Sequence, residues 1–588
     1  MRLLALVAVA LVAKSVAVAA AVLGSQPWAA LVTVSALPLI ALLLCPSLLL
    51  RGRGRTAYLL GADLLVSLLL LADLLNARAS GRLLSLHMMT QPSGFEGMGS
   101  SVWAMARWWD VLVVADLVVL AVLALVARFR GVPLRWPAVP ATPPAVRRWL
   151  RRGRRARVRA VAFVVVGSVL AFGVQVVAQT SDPRLRVVSL SPLGAHAYEG
   201  YEELVDTNDR LTPEERQRVR DWFAANEAYH EVAPEHADLV GLLEGRDLYY
   251  VQFESLEQVV LGASPHGQEV TPTLNRWLGE SLVFDHVLAQ VRDGSSSDAE
   301  LLALAGVYPV QSGAAFLRFP DNAGYTSLPR LLTGEGYHPI ALHNDSATFW
   351  NRDRVFPHLG FERYIGQEGF ARGTPLGMGL ADTDLFDQAL RELDRVGSPH
   401  YMHLITTSSH LPWELPEHLQ ELDLPGDDAT SRYLQAVHYT DAALGAFERD
   451  LRERGLLERS AIIVVGDHEG PHRYAPEDER WLEGNQGRVP FLVYVPGSDG
   501  RRISTPGGQI DVLPTLAQLV GIPPERYAGQ VMGRTLLGSF TGSAVTPEGE
   551  VLPGADGATQ LRTAYEIADL AISSEWFAGT ADSGPAVK

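Results

Sequence analysis

The stretch Ala461-Ile-Ile-Val-Val-Gly-Asp-His-Glu-Gly470 runs five apolar residues into a glycine, a carboxylate and an imidazole. An unbroken run of this kind reads as a strand covered on both faces, as in a parallel sheet flanked by helices. Ligands of such sheets gather beyond the carboxyl ends of the strands, which is where Asp467 and His468 would project. Taken alone, Gly-Asp-His also reads as an ordinary polar turn, so the pair needs partners from elsewhere in the chain.

Working outward, apolar runs at 248–253, 339–342, 401–405, 461–465 and 491–495 predict strands. Stretches near 272–279, 298–306, 327–336, 383–396, 430–456 and 511–521 predict the helices between them. This alternation predicts a mostly parallel sheet sandwiched by helices, an α/β domain spanning 246–540. The Gly-, Pro- and Ala-rich residues 541–588 read as a C-terminal appendage with a helix at 558–573.

A chain of 588 residues exceeds one core and predicts more than one module. Residues 1–179 hold 19 Lys+Arg against 5 Asp+Glu, a net of +14, whereas 180–588 hold 31 against 61, a net of −30. The acidic half argues against nucleic acid as a partner, because phosphate backbones need a basic face. Cys45 is the single cysteine and lies in an apolar run, which excludes a disulfide or a cysteine zinc centre within one chain.

Five apolar segments of spanning length, 2–23, 27–50, 56–77, 108–127 and 158–179, predict a transmembrane bundle over 1–180. Lys14 interrupts the first, and a second follows at once, which argues against a cleavable signal. Arg51-Gly-Arg-Gly-Arg55 and the eleven arginines from Arg128 to Arg159 belong on the cytoplasmic side, so everything after residue 180 is expected outside a cell membrane. Asp63, Asp73, Asp110 and Asp116 fall in spans three and four, where pairing with Arg or Lys14 inside the bundle is expected. Residues 181–245 read as a linker with one amphipathic helix: Thr212-Pro-Glu-Glu215 supplies its cap, and Val219, Trp222 and Phe223 share a face.

Three stretches supply the chemistry. Tyr249-Tyr-Val-Gln-Phe-Glu254-Ser puts a carboxylate at a strand end, and Arg292-Asp-Gly-Ser-Ser-Ser-Asp-Ala-Glu300 puts hydroxyls in a glycine-led loop entering a helix. With Asp467 and His468 they form a mixed oxygen and nitrogen donor set suited to Mn²⁺, Mg²⁺ or Zn²⁺.

Here the chain resembles the lipoteichoic acid synthases, membrane-anchored members of the alkaline phosphatase and sulfatase superfamily. The resemblance rests on Phe253-Glu-Ser-Leu256, Ser296-Ser-Asp-Ala-Glu300, His343-Asn-Asp-Ser-Ala-Thr-Phe-Trp-Asn-Arg-Asp353, Ser408-Ser-His410, Tyr439-Thr-Asp441 and Gly466-Asp-His468. It implies an alkaline phosphatase or sulfatase-like external domain with a metal, typically manganese, on Glu254, Ser296, Asp467 and His468. It also implies that His343, Asp345, Trp350, Arg352 and His410 line a pocket for a glycerol phosphate headgroup. The family nucleophile is usually threonine; Ser296 takes that position here, flanked by Ser295 and Ser297. His403 and His472 receive no role.

The expected activity is transfer of glycerol phosphate from phosphatidylglycerol to a glycolipid or polymer acceptor through a covalent enzyme intermediate. Ser296 would be the nucleophile, His410 or His343 the proton donor and Arg352 a clamp on phosphate oxygens through its planar donor fork. The rivals are a phosphoethanolamine transferase, a metal-dependent phosphodiesterase and a non-catalytic envelope binding protein. A sulfatase is discounted: Cys45 lies in a span, and Ser327-Leu-Pro-Arg330 lacks the required spacing.

Overall fold

Eight strands form one sheet: β1 (Asp247–Phe253), β2 (Ser281–Phe284), β3 (His338–His343), β4 (Arg363–Ile365), β5 (His400–Ile405), β6 (Ser460–Gly466), β7 (Phe491–Tyr494) and β8 (Arg501–Ile503). Their spatial order is β8-β2-β7-β6-β1-β5-β3-β4. The computed structural model describes residues 2–23, 28–80, 82–90, 105–119, 122, 154–177, 183–205, 211–471 and 484–581. It divides into a membrane-type unit (Met1–Leu86 with Met105–Thr207) and a globular unit (His87–Ala104 with Asn208–Lys588).

The globular unit explains the unbroken apolar runs. Leu248, Tyr250, Ala461, Ile463 and Val465 enter one core, and Tyr249, Val251, Phe253, Ile462 and Val464 enter another. Side chains of a strand alternate between faces, so a strand with a core on each side is apolar at most positions and can hold a polar residue only where a partner satisfies it. Strands β6, β1, β5, β3 and β4 run parallel, with Phe253 opposite Gly466 and both Gln252 and His343 opposite Ile405. Four carboxyl ends, those of β6, β1, β5 and β3, therefore line up side by side. The expected strand at 491–495 is present as β7 but runs antiparallel to both β6 and β2.

Two expected boundaries give way. Residues 181–245 are not a linker: Pro183–Val205 is a helix broken at Ser191 (φ 66°), and it belongs to the membrane-type unit. The capped helix Pro213–Asn226 buries Val219, Trp222 and Phe223 in the globular core. Nor is the C-terminal segment an appendage, since Leu561, Tyr565, Ile567, Ile572 and Phe577 are buried in that same core. In both places the apolar face of a helix found tertiary partners far away in the chain.

Among the described residues of the membrane-type unit, four helices are long and apolar enough to cross a membrane: Leu3–Leu23, Ala29–Leu48, Gly52–Arg78 and Arg155–Val177. The expected span at 108–127 falls partly outside the described residues, and Trp108–Val113 within it form a 3-10 turn. Asp63, Asp116 and Asp110 pair with Lys14 and Arg78 as expected, whereas Asp73 takes a histidine that was not expected. Lys14 meets Asp63 at 2.9 Å and Asp116 at 2.8 Å, Arg78 grips Asp110 at 2.5 and 2.6 Å, and His196 meets Asp73 at 2.9 Å.

Candidate active site

Glu254, Asp467 and His468 leave the ends of neighbouring strands β1 and β6, and their ligand atoms all lie within 4.8 Å of one another. Gly466 permits this, because a Cβ there would sit 2.3 Å from the Leu256 carbonyl of the adjoining strand end. The backbone of Glu254 is held from β5, whose following loop accepts its N–H at Thr406 Oγ1 (3.0 Å) and donates Ser409 Oγ to its carbonyl (2.7 Å). The Ser255 N–H donates to Asp467 Oδ1 at 2.7 Å.

Burial opposes charge on all three groups; their mutual field overcomes it at Glu254 and His468 and not at Asp467. The charges of His468 and His410 hold the Glu254 carboxyl well below the usual range against burial, and burial together with Glu254 pushes Asp467 up to about 7. Asp467 and Glu254 push His468 up to about 9, again against burial. The donor set fits a divalent cation. Asp467 Oδ2 is buried with no hydrogen-bond partner among the described residues, and His468 Nδ1 donates to the Glu469 carbonyl (3.0 Å), which turns Nε2 to Glu254 Oε1 at 3.2 Å as the nitrogen that would bind a cation in exchange for its proton.

Ser296 opens the short helix Ser296–Glu300, which widens to a π turn at Leu301–Ala305. Its Oγ lies 3.4 Å from Glu254 Oε2. The loop before it is shaped by Asp298, whose carboxylate accepts the N–H groups of Arg292 and Gly294 at 2.9 Å each. Ser295 is forced to φ 47°, and Ser255, Trp350, Asn351 and Trp413 also carry positive φ. Such backbone costs about 1–3 kcal/mol per residue and concentrates where geometry is imposed by a site.

His343 ends β3 and Asp345 follows it, and both are buried. Burial and the Arg352 charge hold His343 well below its ordinary pKa, so it is neutral, and burial raises Asp345. His410 gives its Nδ1 to the Leu411 carbonyl at 2.7 Å, and its charge bears on Glu254, His343 and Asp345. Trp350 is 5% exposed and packs on Phe349. The expected fork of Arg352 needs correction: Nε and Nη2 are taken by Glu300 at 2.9 and 2.7 Å, leaving Nη1 as the nitrogen Glu300 does not engage.

Some of the supporting residues escaped sequence reasoning. Asp382 accepts the N–H of Thr407, the Thr440 hydroxyl and the Asn344 amide at 2.9, 2.6 and 2.9 Å, tying the ends of β5 and β3 together. Within Tyr439-Thr-Asp441, Asp441 caps Pro272–Trp277 through the N–H groups of Thr273 and Leu274. His472 lies outside the described residues.

Comparison with known proteins extends this reading over the chain. The family described as the lipoteichoic acid synthase N-terminal domain matches residues 1–210, and the sulfatase family matches residues 246–522. Over most of its length the chain is similar to lipoteichoic acid synthases. It is 29% identical to the lipoteichoic acid synthase-like YvgJ of Bacillus subtilis, over 81% of the chain and 77% of that relative. It is 26% identical to the lipoteichoic acid synthase of Staphylococcus aureus, over 83% of the chain and 76% of that relative. Its fold is shared with the crystal structure of the lipoteichoic acid synthase LtaP from Listeria monocytogenes, with a TM-score of 0.50 at 23% identity over 62% of this chain and 99% of LtaP.

Proposed function

We propose that the protein transfers glycerol phosphate from phosphatidylglycerol to a lipid-anchored acceptor, with Ser296 as nucleophile. The observation that carries this is a serine hydroxyl 3.4 Å from Glu254 within a buried Glu, Asp and His donor set, in a chain similar to lipoteichoic acid synthases. Glu254, Asp467, His468 and Ser296 would hold a divalent cation, manganese in our reading with magnesium or zinc as alternatives. When bound, it would lower the serine pKa and stabilise charge at the attacked phosphorus.

Ser296 Oγ forms a bond to phosphorus while the bond from phosphorus to the diacylglycerol oxygen breaks. His410 is the better proton donor to that departing oxygen: its Nδ1 is engaged by Leu411, leaving Nε2, whereas His343 is held neutral by burial and Arg352. Arg352 Nη1 would meet a phosphate oxygen, His343 and Asp345 the glycerol hydroxyls, and Trp350 the glycerol carbons. The terminal hydroxyl of the acceptor then attacks the phosphorus of the glycerophosphoserine, passing its proton to His410 as the bond from phosphorus to Ser296 Oγ breaks, which restores both residues. The positive-inside pattern supports placing this chemistry on the outer face, and anchoring in the bilayer of donor and acceptor raises their effective concentration.

Full-length protein in detergent with Mn²⁺ and labelled phosphatidylglycerol is expected to release diacylglycerol and build polymer. Free glycerol phosphate without polymer would make it a phosphodiesterase. Turnover of phosphatidylethanolamine instead would make it a phosphoethanolamine transferase, and no product from either lipid would leave a binding protein.

A further inference from the structure

Glu300 has no part in the chemistry above, yet it lies one helical turn from Ser296 on the same helix and is fully buried. Its carboxylate receives Arg352 Nε at 2.9 Å, Arg352 Nη2 at 2.7 Å and Gln252 Nε2 at 3.3 Å. Gln252, two residues before Glu254 in β1, also donates to the Ser296 carbonyl at 3.4 Å. Behind it, His403 Nε2 meets Gln252 Oε1 at 3.3 Å, and the Tyr401 hydroxyl meets His403 Nδ1 at 3.1 Å.

One assignment of protons satisfies this whole row. The Tyr401 O–H donates to His403 Nδ1, the Nε2–H of a neutral imidazole donates to Gln252 Oε1, and the Gln252 amide donates to Glu300 and Ser296. Burial pushes His403 down to about 3, which keeps it in the neutral form this assignment needs. A buried ion pair returns little net stability, because the desolvation of both partners cancels most of their attraction. What the Arg352 and Glu300 pair supplies is geometry. Three parts of the site converge on one carboxylate: the strand bearing Glu254, the helix bearing Ser296 and the helix Arg352–Leu359.

We propose that Glu300 is the positioning residue of this site, setting Ser296 Oγ against Glu254 and turning Arg352 so that its far edge, where Nη1 also donates to the Phe349 carbonyl at 3.4 Å, is presented to a phosphate oxygen. The substrate rests on the function proposed above, whereas the geometry does not.

The test uses Glu300→Asp in the full-length protein, which keeps the charge and withdraws it by one methylene. A displacement of about 1 Å at a reacting atom can cost on the order of 100-fold in rate. We expect kcat for diacylglycerol release to fall at least about ten-fold on that ground, with KM within about three-fold. A crystal structure of the variant should show Ser296 Oγ moved away from Glu254. Unchanged kcat with Ser296 in place overturns the proposal. If the parent itself releases no diacylglycerol, the proposed function fails and the position of Ser296 in the variant decides this inference alone. Should Glu300→Asp not fold, Gln252→Leu, which cuts Glu300 from β1, takes its place: a lowered kcat supports the proposal and an unaltered one sinks it.

Discussion

Ser297 turns its hydroxyl back onto the Gly294 carbonyl at 2.7 Å, whereas Ser296 holds its own 3.4 Å from Glu254. Adjacent residues with the same chemistry are thus set to different tasks by the turn that carries them. Ser297→Ala is expected to keep turnover and to lose about 1 kcal/mol of stability, while Ser296→Ala keeps the melting temperature and abolishes diacylglycerol release. Turnover by Ser296→Ala would remove it as nucleophile. A second residue-scale effect concerns His230, buried with neither ring nitrogen hydrogen-bonded among the described residues. Burial, with help from Arg534, pushes its pKa down to about 4. An unfolded histidine, near 6.5, binds a proton that the folded one refuses. Stability present above about pH 6.5 should therefore decline as pH falls towards 4, by about 3 kcal/mol in total. Melting curves between pH 7 and 4 should show a shallower decline in His230→Phe than in the parent.

At the scale of elements, amphipathic helices were recognised but their partners were not. Thr212 and Glu215 exchange hydrogen bonds of 3.2 and 2.8 Å in the capping box that starts Pro213–Asn226, as the local sequence predicts. That its Trp222 would donate to the Gln560 carbonyl, 338 residues away, is written in no local pattern. The helix Ala564–Ser573 is a stronger case, since Tyr565 lies 4.8 Å beneath the Arg292 guanidinium at the start of the loop that carries Ser296. Ending the chain after Gly557 should therefore unfold the globular unit or lower its melting temperature sharply, because several buried apolar side chains worth about 1.5–3 kcal/mol each are removed. Unchanged melting of the truncated protein would return the segment to the status of an appendage. The edge strands β4 and β8 carry three residues each, too few to show a period of two, and they form because the neighbouring strands β3 and β2 offer unpaired backbone.

For the whole molecule, the contrast between the basic first 179 residues and the acidic remainder matches its division into a membrane-type and a globular unit. Within the first, Lys14 serves both Asp63 and Asp116, so one cation neutralises part of two carboxylates. Lys14→Met leaves both unpaired and should cost the bundle about 3–5 kcal/mol. The loss would be read as a lower melting temperature of the purified protein in detergent, and Lys14→Met/Asp63→Asn should recover part of it. Equal melting of Lys14→Met and the parent would show that the pairs are inconsequential.

The strand runs, the helices between them and the placement of Glu254, Asp467 and His468 at strand ends were legible from local order, because burial on both faces favours unbroken apolar residues and polar ones begin where the sheet stops. Which hydroxyl of three faces Glu254, which nitrogens of Arg352 are already engaged, and where the helices 183–205 and 564–573 belong were not legible. Each depends on atoms brought together from distant parts of the chain, and a linear pattern records the faces that need covering without naming what covers them.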